Sequence, residues 1–402
     1  MKYVIIFFVT IYFSNSYAST GTVCSLEQYF LQTDSYKSSL LDNMEKKIDL
    51  DRKKLSLLPD IYIGMNQYSN NKRSFKSLKE SSLSVGISQT IYEGGKYIKN
   101  QKIAKIDAEY NRLLIHDKRN NYLIDLYRDV IEYNYKLDLR ELYISQLEKQ
   151  NVQLEAAKAS YLSGNIAAIE YNAAKIRRDE IWNNIKYIDN EIEQSALDIY
   201  TNFNIPVDDI QKINNDTILS CKSESSDYIL KQSRELLYKK EKANYELNRA
   251  SLQPHVGFSV YVSPPDTGTW NDLSLRKSDF GASINLTIPV SNFFSMNAID
   301  ESHAIAISRI NNSHDERKRM YFREKEKTRM KIDELKNHIE LSKKIVELKS
   351  NEVDYTLSLF KERKENIMSY YRQLDEYESA KINLKKEERE IEFNKVYLNI
   401  LD

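Results

Sequence analysis

Four short segments of this chain alternate between large apolar residues and small or polar residues, and this pattern restricts its fold more than any other feature. They span residues 61–68, 83–91, 256–263 and 280–288. In the last segment the apolar positions are Phe280, Ala282, Ile284, Leu286 and Ile288. The opposite positions in the last three segments include Ser84, Gly86, Ser88, Gly257, Ser259, Ser283 and Asn285. A period of two is that of a β-strand, and about nine to eleven tilted residues cross a bilayer. The pattern predicts four strands of a membrane β-barrel, over about residues 60–69, 82–92, 255–263 and 279–289, with the small and polar residues facing an aqueous lumen.

A half-buried strand of a soluble sheet alternates in the same way, so the arrangement of the segments has to decide. Pro59 and Pro254 each precede a first strand, where a missing N–H is tolerated. Each second strand runs into turn residues, Gly94-Gly95 in one case and Pro289 in the other. The chain therefore consists of two tandem repeats of helix, strand, strand, long helix and helix.

The helical segments are unusually long. Residues 96–163 contain neither Pro nor Gly, Gly164 interrupts the pattern, and a second helix is predicted over residues 167–200. The second half repeats this order, with helices predicted over residues 296–360 and 367–398. Narrow apolar stripes on such long helices are typical of coiled-coil packing. The sequence therefore predicts a mainly α-helical protein with a membrane β part.

The N-terminus has the pattern of a secretory signal peptide. A basic start is followed by an apolar core over residues 3–13 and a cleavage site after Ala18. The apolar core has about half the length of a spanning helix, and no other stretch is long and apolar enough to span as one. The predicted organisation is a signal peptide over residues 1–18, a first repeat over 19–205, a polar linker over 206–224 and a second repeat over 225–402. Cys24 and Cys221 are the two cysteines, and both a disulfide and two separate thiols are consistent with them.

The charge and the polar residues indicate neither a nucleic-acid partner nor an enzyme. The chain has 59 basic and 59 acidic residues, so electrostatics give no reason to expect nucleic-acid binding. The five histidines have no partner at the spacing of a metal site or a catalytic triad, so no cofactor or metal is expected. Glu170 with Arg177 or Arg178 is interpreted as an ion pair on a helix surface. Trp182 and Tyr187 are expected to pack between helices.

Hydrogen bonding predicts an oligomer. Four strands have two open edges, and lipid cannot satisfy their backbone groups. Three copies would supply twelve strands for a closed barrel and six helical hairpins for a tube that continues it. The alternative is a soluble two-repeat coiled coil with small β caps.

The chain resembles the TolC-type outer-membrane efflux proteins over nearly its whole mature length. The resemblance is carried by the strand starts at Pro59 and Pro254, by Gln-Thr-Ile-Tyr-Glu-Gly-Gly at residues 89–95, and by Tyr-Leu-Ser-Gly at residues 161–164. It implies a homotrimeric channel in the outer membrane of a Gram-negative bacterium, with a helical tube in the periplasm. The implied partners are a periplasmic adaptor (membrane fusion) protein and an inner-membrane pump of the ABC, RND or MFS type. Conduction through such a channel is passive.

The second helical hairpin departs from this family. Its turn usually has a glycine matching Gly164, but Arg363 or Glu365 occupies that position here, depending on the alignment. The family often carries acidic residues just past the turn, but the ungapped match gives Ser369 and Arg372 there, so that feature is not carried over. Asp375 and Glu376 are nearby acids. They are candidates for a gate, or alternatively belong to a solvated helix face.

Two functions remain open from the sequence. One is an export channel, for drug efflux or for type I secretion of a polypeptide. The other is a non-conducting structural or adhesive protein anchored in the outer membrane. Small polar residues such as Ser84 and Ser283 favour the channel, because an anchor needs no wet interior.

Overall fold

The structure is mainly helical with one small antiparallel sheet. The computed structural model describes residues 24–66, 82–222, 224–263, 279–362 and 364–402. The first half contains α1 (Glu27–Gln32), α2 (Asp34–Leu55), β1 (Asp60–Asn66), β2 (Ser82–Glu93), α3 (Lys96–Leu162) and α4 (Ala168–Phe203). Two short helices follow, α5 (Val207–Ile210) and α6 (Asn215–Ser220). The second half contains α7 (Ser226–Ala250), β3 (His255–Ser263), β4 (Asp279–Thr287), a 3₁₀ helix (Val290–Ser295), α8 (Met296–Lys361) and α9 (Ile367–Leu401). The predicted signal peptide lies outside the described residues.

Two long helical hairpins dominate the molecule. Helices α3 and α8 have 67 and 66 residues, which is about 100 Å each. Helix α3 packs against α4 and α9, and α8 packs against α9 and α7. Within the described residues, none of the helices combines the length and the apolarity that a membrane-spanning helix needs.

The two hairpin turns share a hydrogen-bond pattern. In the first, Gly164 has a φ of 74°, and the Asn165 N–H donates to the Ser160 carbonyl at 2.8 Å. In the second, the Lys364 N–H donates to the Leu359 carbonyl, also five residues back, at 2.9 Å. This match makes position 363 rather than Glu365 the counterpart of Gly164. Arg363 itself lies outside the described residues.

The four strands form one sheet in the order β1-β2-β3-β4, and all neighbours are antiparallel. The β2–β3 pair joins the two repeats, with Val85 opposite Val262. Strand β4 ends at Thr287 rather than at residue 289, because Pro289 lacks an N–H for the ladder and the 3₁₀ helix begins at Val290. Residues 67–69 of the predicted first strand lie outside the described residues.

The largest core lies midway along α3, where it meets the C-terminal ends of α4 and α9. Its fully buried residues include Leu126 and Val130 of α3 and Ile199 of α4. The segment 206–224, expected to be a polar linker, instead carries α5 and α6 and contributes to this core with Ile210, Ile213, Ile218 and Cys221. Cys221 forms a disulfide with Cys24, with a Cα–Cα distance of 4.7 Å. The bond attaches the segment around Cys24 and α1 to the core. Leu26 and Phe30 of this segment are buried.

Candidate functional sites on the sheet and near the hairpin turns

One face of the sheet is small and polar. The register places Ser88, Ser259 and Ser283 in one row and Gly257 opposite Asn285 in another. Ser84 and Gly86 lie on the same face of β2 as Ser88. The Ser259 and Ser283 hydroxyl oxygens are 2.8 Å apart, within hydrogen-bond distance. The structure therefore brings all seven residues predicted to face a lumen onto one face.

The other face of the sheet is apolar and exposed. Its large side chains are between 38% and 77% exposed in the single chain: Ile61, Ile63, Val85, Ile87, Phe258, Val260, Phe280, Ile284 and Leu286. A contiguous apolar surface of this kind is unfavourable in water and marks an interaction surface. This face is suited to contact with hydrocarbon.

An ionic cluster connects the two helical hairpins. Arg177 of α4 forms an ion pair with Asp375 of α9 and donates to Glu378 of α9 at 3.0 Å. The side chains of Arg177 and Glu378 are 17% and 12% exposed. Burial raises the pKa of the Glu378 carboxyl to about 7, although the nearby Arg177 lowers it. We call these three residues the hairpin clasp.

The prediction that Glu170 pairs with Arg177 or Arg178 on a helix surface is wrong. Arg177 does not pair with Glu170, whose carboxylate accepts from the Ala167 N–H at 3.0 Å near the start of α4. Arg178 pairs with Asp179 of its own helix at 2.8 Å. The signal for a contact between hairpins was the spacing of Asp375 and Glu378, which places both carboxylates on one face of α9.

The two candidate gate residues have different surroundings. Asp375 contacts the first hairpin through Arg177, whereas Glu376 pairs with Lys349 of α8 at 2.6 Å, within the second hairpin. The Lys349 ammonium lowers the pKa of Glu376 by hydrogen bonding. Of the two, Asp375 is therefore the one placed to hold the hairpins together.

A groove of about 1240 Å³ opens between α3, α8 and α9 near the turns. Its lining includes Val152, Leu357, Phe360, Glu365 and Tyr370. Gln150 is buried and donates to the Ala174 carbonyl at 3.1 Å. Gly164 is exposed, and a Cβ there would meet no atom within 4 Å.

Helices α4 and α8 each expose an apolar stripe. Trp182 and Tyr187 were expected to pack between helices, but they are 50% and 66% exposed in the single chain. Tyr187 shares one face of α4 with Ile169 and Ile176, which are also exposed. On α8 the exposed residues at helical spacing are Met330, Leu341, Ile345, Leu348 and Tyr355. Both stripes are unpartnered in the single chain.

Comparison with known proteins identifies the fold. No protein-family model and no curated protein sequence matches the chain. The outer membrane protein VceC from Vibrio cholerae superposes with a TM-score of 0.70 at 10% identity, over 94% of this chain and 95% of VceC. The Campylobacter jejuni CmeC outer membrane channel gives 0.71 at 9% identity, over 94% and 84%. The Neisseria gonorrhoeae MtrE outer membrane channel, in its open state, gives 0.69 at 11% identity, over 94% and 87%. The chain therefore has the TolC-type fold, and the predicted mainly helical architecture is confirmed.

Proposed function

We propose that this protein is the outer-membrane channel of a tripartite export system, conducting substrates passively out of the cell. The main observation behind the proposal is the difference between the two faces of the sheet. One face carries small and polar residues, and the other carries exposed apolar side chains. A barrel wall needs this division, with hydrocarbon outside and water inside. The fold shared with outer membrane channels supports it.

The conducting species is a homotrimer. Strands β1 and β4 are the open edges of the sheet. Lipid offers no hydrogen-bond partners to their backbone N–H and C=O groups, so strands of other copies must supply them. Three copies of four strands close a barrel with a wet interior, and the six helical hairpins continue it as a tube across the periplasm.

The exposed stripes of α4 and α8 form the helical contact between neighbouring copies. At 1.5 Å per residue, Ile176 and Tyr355 both lie about 10 Å from the hairpin turns, and Tyr187 and Leu341 both lie about 30 Å from them. Apolar residues of α4 and of α8 thus lie at matching distances from the hairpin turns and can meet between copies. Paired cysteines at Ile176 and Tyr355 are expected to cross-link copies into trimers under oxidising conditions. Cysteines at Ile176 and Met330, at different heights, serve as the control, and equal cross-linking of both pairs would refute this contact.

The hairpin clasp acts as the gate at the periplasmic end, because it links the first hairpin to the second close to their turns. The groove beside the turns receives the periplasmic adaptor. An inner-membrane pump of the ABC, RND or MFS type supplies the energy, and the cargo is either small toxic molecules or a polypeptide of type I secretion.

Cysteine accessibility tests whether the small, polar face of the sheet lies in water and the apolar face in lipid. Ser84→Cys and Ser283→Cys, on the polar face, are expected to react with a water-soluble, membrane-impermeant thiol reagent in outer-membrane vesicles. Ile87→Cys and Ile284→Cys, on the apolar face of the same strands, are the matched controls and should stay unreacted. Native cysteines add no background, because Cys24 and Cys221 are bonded to each other. Protection of the serine positions would contradict an aqueous lumen.

Two further measurements separate the channel from a structural anchor. Light scattering of the detergent-extracted protein should give three subunits, and a planar bilayer should show discrete conductance steps. A trimer that never conducts would favour a non-conducting anchor. A monomer that stays soluble without detergent would instead leave the sheet as a cap on a coiled coil.

A further inference from the structure

Tyrosine and glycine alternate in one row across the sheet. The register places Tyr62 opposite Gly86, Gly86 opposite Tyr261, and Tyr261 opposite Gly281. This row therefore contains one Tyr-Gly pair from each repeat. It lies on the polar face, next to the row of Ser88, Ser259 and Ser283.

In both pairs the end of the tyrosine ring fills the space where the glycine lacks a side chain. A Cβ on Gly86 would lie 2.5 Å from Tyr62 Cζ and 2.6 Å from its hydroxyl oxygen. A Cβ on Gly281 would lie 2.5 Å from the Tyr261 hydroxyl oxygen and 2.6 Å from Cε1. Each ring thus lies along the wall of the sheet. Gly257, on the same face, has no such cover, because the nearest atom to its Cβ would be the Gln89 carbonyl oxygen at 4.0 Å.

Within the described strands, two carboxylates flank the row. On the polar face, Asp60 lies one row to one side of the tyrosines and Asp279 lies one row to the other side. Both carboxylates are exposed. The four strands contain no lysine and no arginine. Aromatic rings flanked by carboxylates, on strands without lysine or arginine, attract positively charged groups that also carry apolar surface.

Resting on the channel proposed above, we propose that the three Tyr62 and the three Tyr261 side chains of three copies form two neighbouring rings, which together make a collar of six tyrosines in the lumen, and that this collar binds aromatic organic cations. The rings supply the π faces, and Asp60 and Asp279 supply the negative field on either side. Because glycine lets each ring lie against the wall, the collar binds such solutes without closing the passage.

Single-channel recording with ethidium as the probe tests the collar. Ethidium is expected to reduce the current through the wild-type channel in a concentration-dependent manner. Tyr62→Leu with Tyr261→Leu keeps apolar bulk but removes the π faces, and should weaken block at least about tenfold. Tyr62→Phe with Tyr261→Phe keeps the rings and should retain the block. Wild-type conductance without ethidium block, or equal block of the leucine and wild-type channels, would overturn the collar, whereas absence of wild-type conductance would instead count against the channel itself.

A second pair of variants tests the fit of the rings to the wall. Gly281→Ala must displace the Tyr261 ring, which is expected to move into the lumen and lower the conductance. Gly257→Ala is the matched control, because its Cβ has room, and its conductance should equal that of the wild type. Equal conductance of both alanine variants would contradict the predicted position of the ring. This readout remains available if the tyrosine variants fail to assemble.

Discussion

Replacing Arg177 by glutamine tests whether the hairpin clasp controls opening. The guanidinium pairs with Asp375 and donates to Glu378 at 3.0 Å. Glutamine keeps a donor but removes the positive charge. In the variant the Glu378 carboxyl, which is 12% exposed, loses its cation while it remains buried.

The size of the effect depends on pH through Glu378. Removing one partner of a buried ion pair commonly costs about 3–5 kcal/mol if the other group stays charged. Because burial already raises the pKa of Glu378 to about 7, this carboxyl avoids the full cost by taking up a proton. At pH 6 it is mostly neutral, so the variant loses mainly the half-exposed Asp375 pair, worth roughly 1 kcal/mol or less. Above the pKa of Glu378, keeping this carboxyl protonated costs about 1.4 kcal/mol for each pH unit. The variant clasp is therefore destabilised by about 2 kcal/mol in total at pH 8.

Planar-bilayer recording at pH 6 and pH 8 measures this effect. Arg177→Gln should open more often and conduct more than the wild type, with the larger difference at pH 8. Arg178→Gln is the matched control, because Arg178 pairs with Asp179 on its own helix at 2.8 Å, and it should behave as the wild type. Wild-type conductance of Arg177→Gln at pH 8 would refute the clasp as a gate. An equal increase at both pH values would show that Glu378 is not its titrating member.

Three further predictions concern stability. The raised pKa of Glu378 stabilises the folded hairpins at low pH, and this contribution is lost as the pH rises from about 4.5 through about 7. Glu378→Gln should therefore flatten the dependence of the melting temperature on pH in that range. The Cys24–Cys221 disulfide spans 197 residues, and Cys24→Ser with Cys221→Ser should lower stability by about 4–5 kcal/mol and the melting temperature by about 5 °C in circular dichroism, with reductant having no further effect on the variant. Gly164→Ala should destabilise the first turn by about 1–2 kcal/mol, seen as faster hydrogen exchange there, because its φ of 74° is left-handed.

The sequence predicts the secondary structure well because its signals are local. Helix α3 was expected over residues 96–163 and is found at Lys96–Leu162, since one glycine ends a long stretch without breakers. Strand β2 was expected over residues 82–92 and is found at Ser82–Glu93, because its alternation is clear and Gly94-Gly95 follows it. In both cases a periodic pattern is bounded by a residue with a distinct backbone preference.

Contacts between the repeats were not predictable in this way. Arg177 and Glu378 are 201 residues apart, and no local pattern distinguishes an arginine that reaches the other hairpin from its neighbour Arg178, which does not. The short helices α5 and α6 were missed for another reason. Their apolar residues are few and form no long periodic pattern, so the segment was expected to be a polar linker, whereas Ile210 and Ile218 are fully buried.

The two open edges of the sheet, β1 and β4, also bear on how copies join. Strand β1 and helix α4 belong to the first repeat, and strand β4 and helix α8 to the second, so a contact of β4 with β1 of the next copy places α8 beside α4 in the same interface. Joining β4 to the next β1 uses both open edges of every copy. A two-fold pairing of β1 with β1, or of β4 with β4, leaves one edge of each copy open. Head-to-tail contacts of one kind close into a ring when their rotation permits, and only a closed ring leaves no strand edge unpaired in lipid.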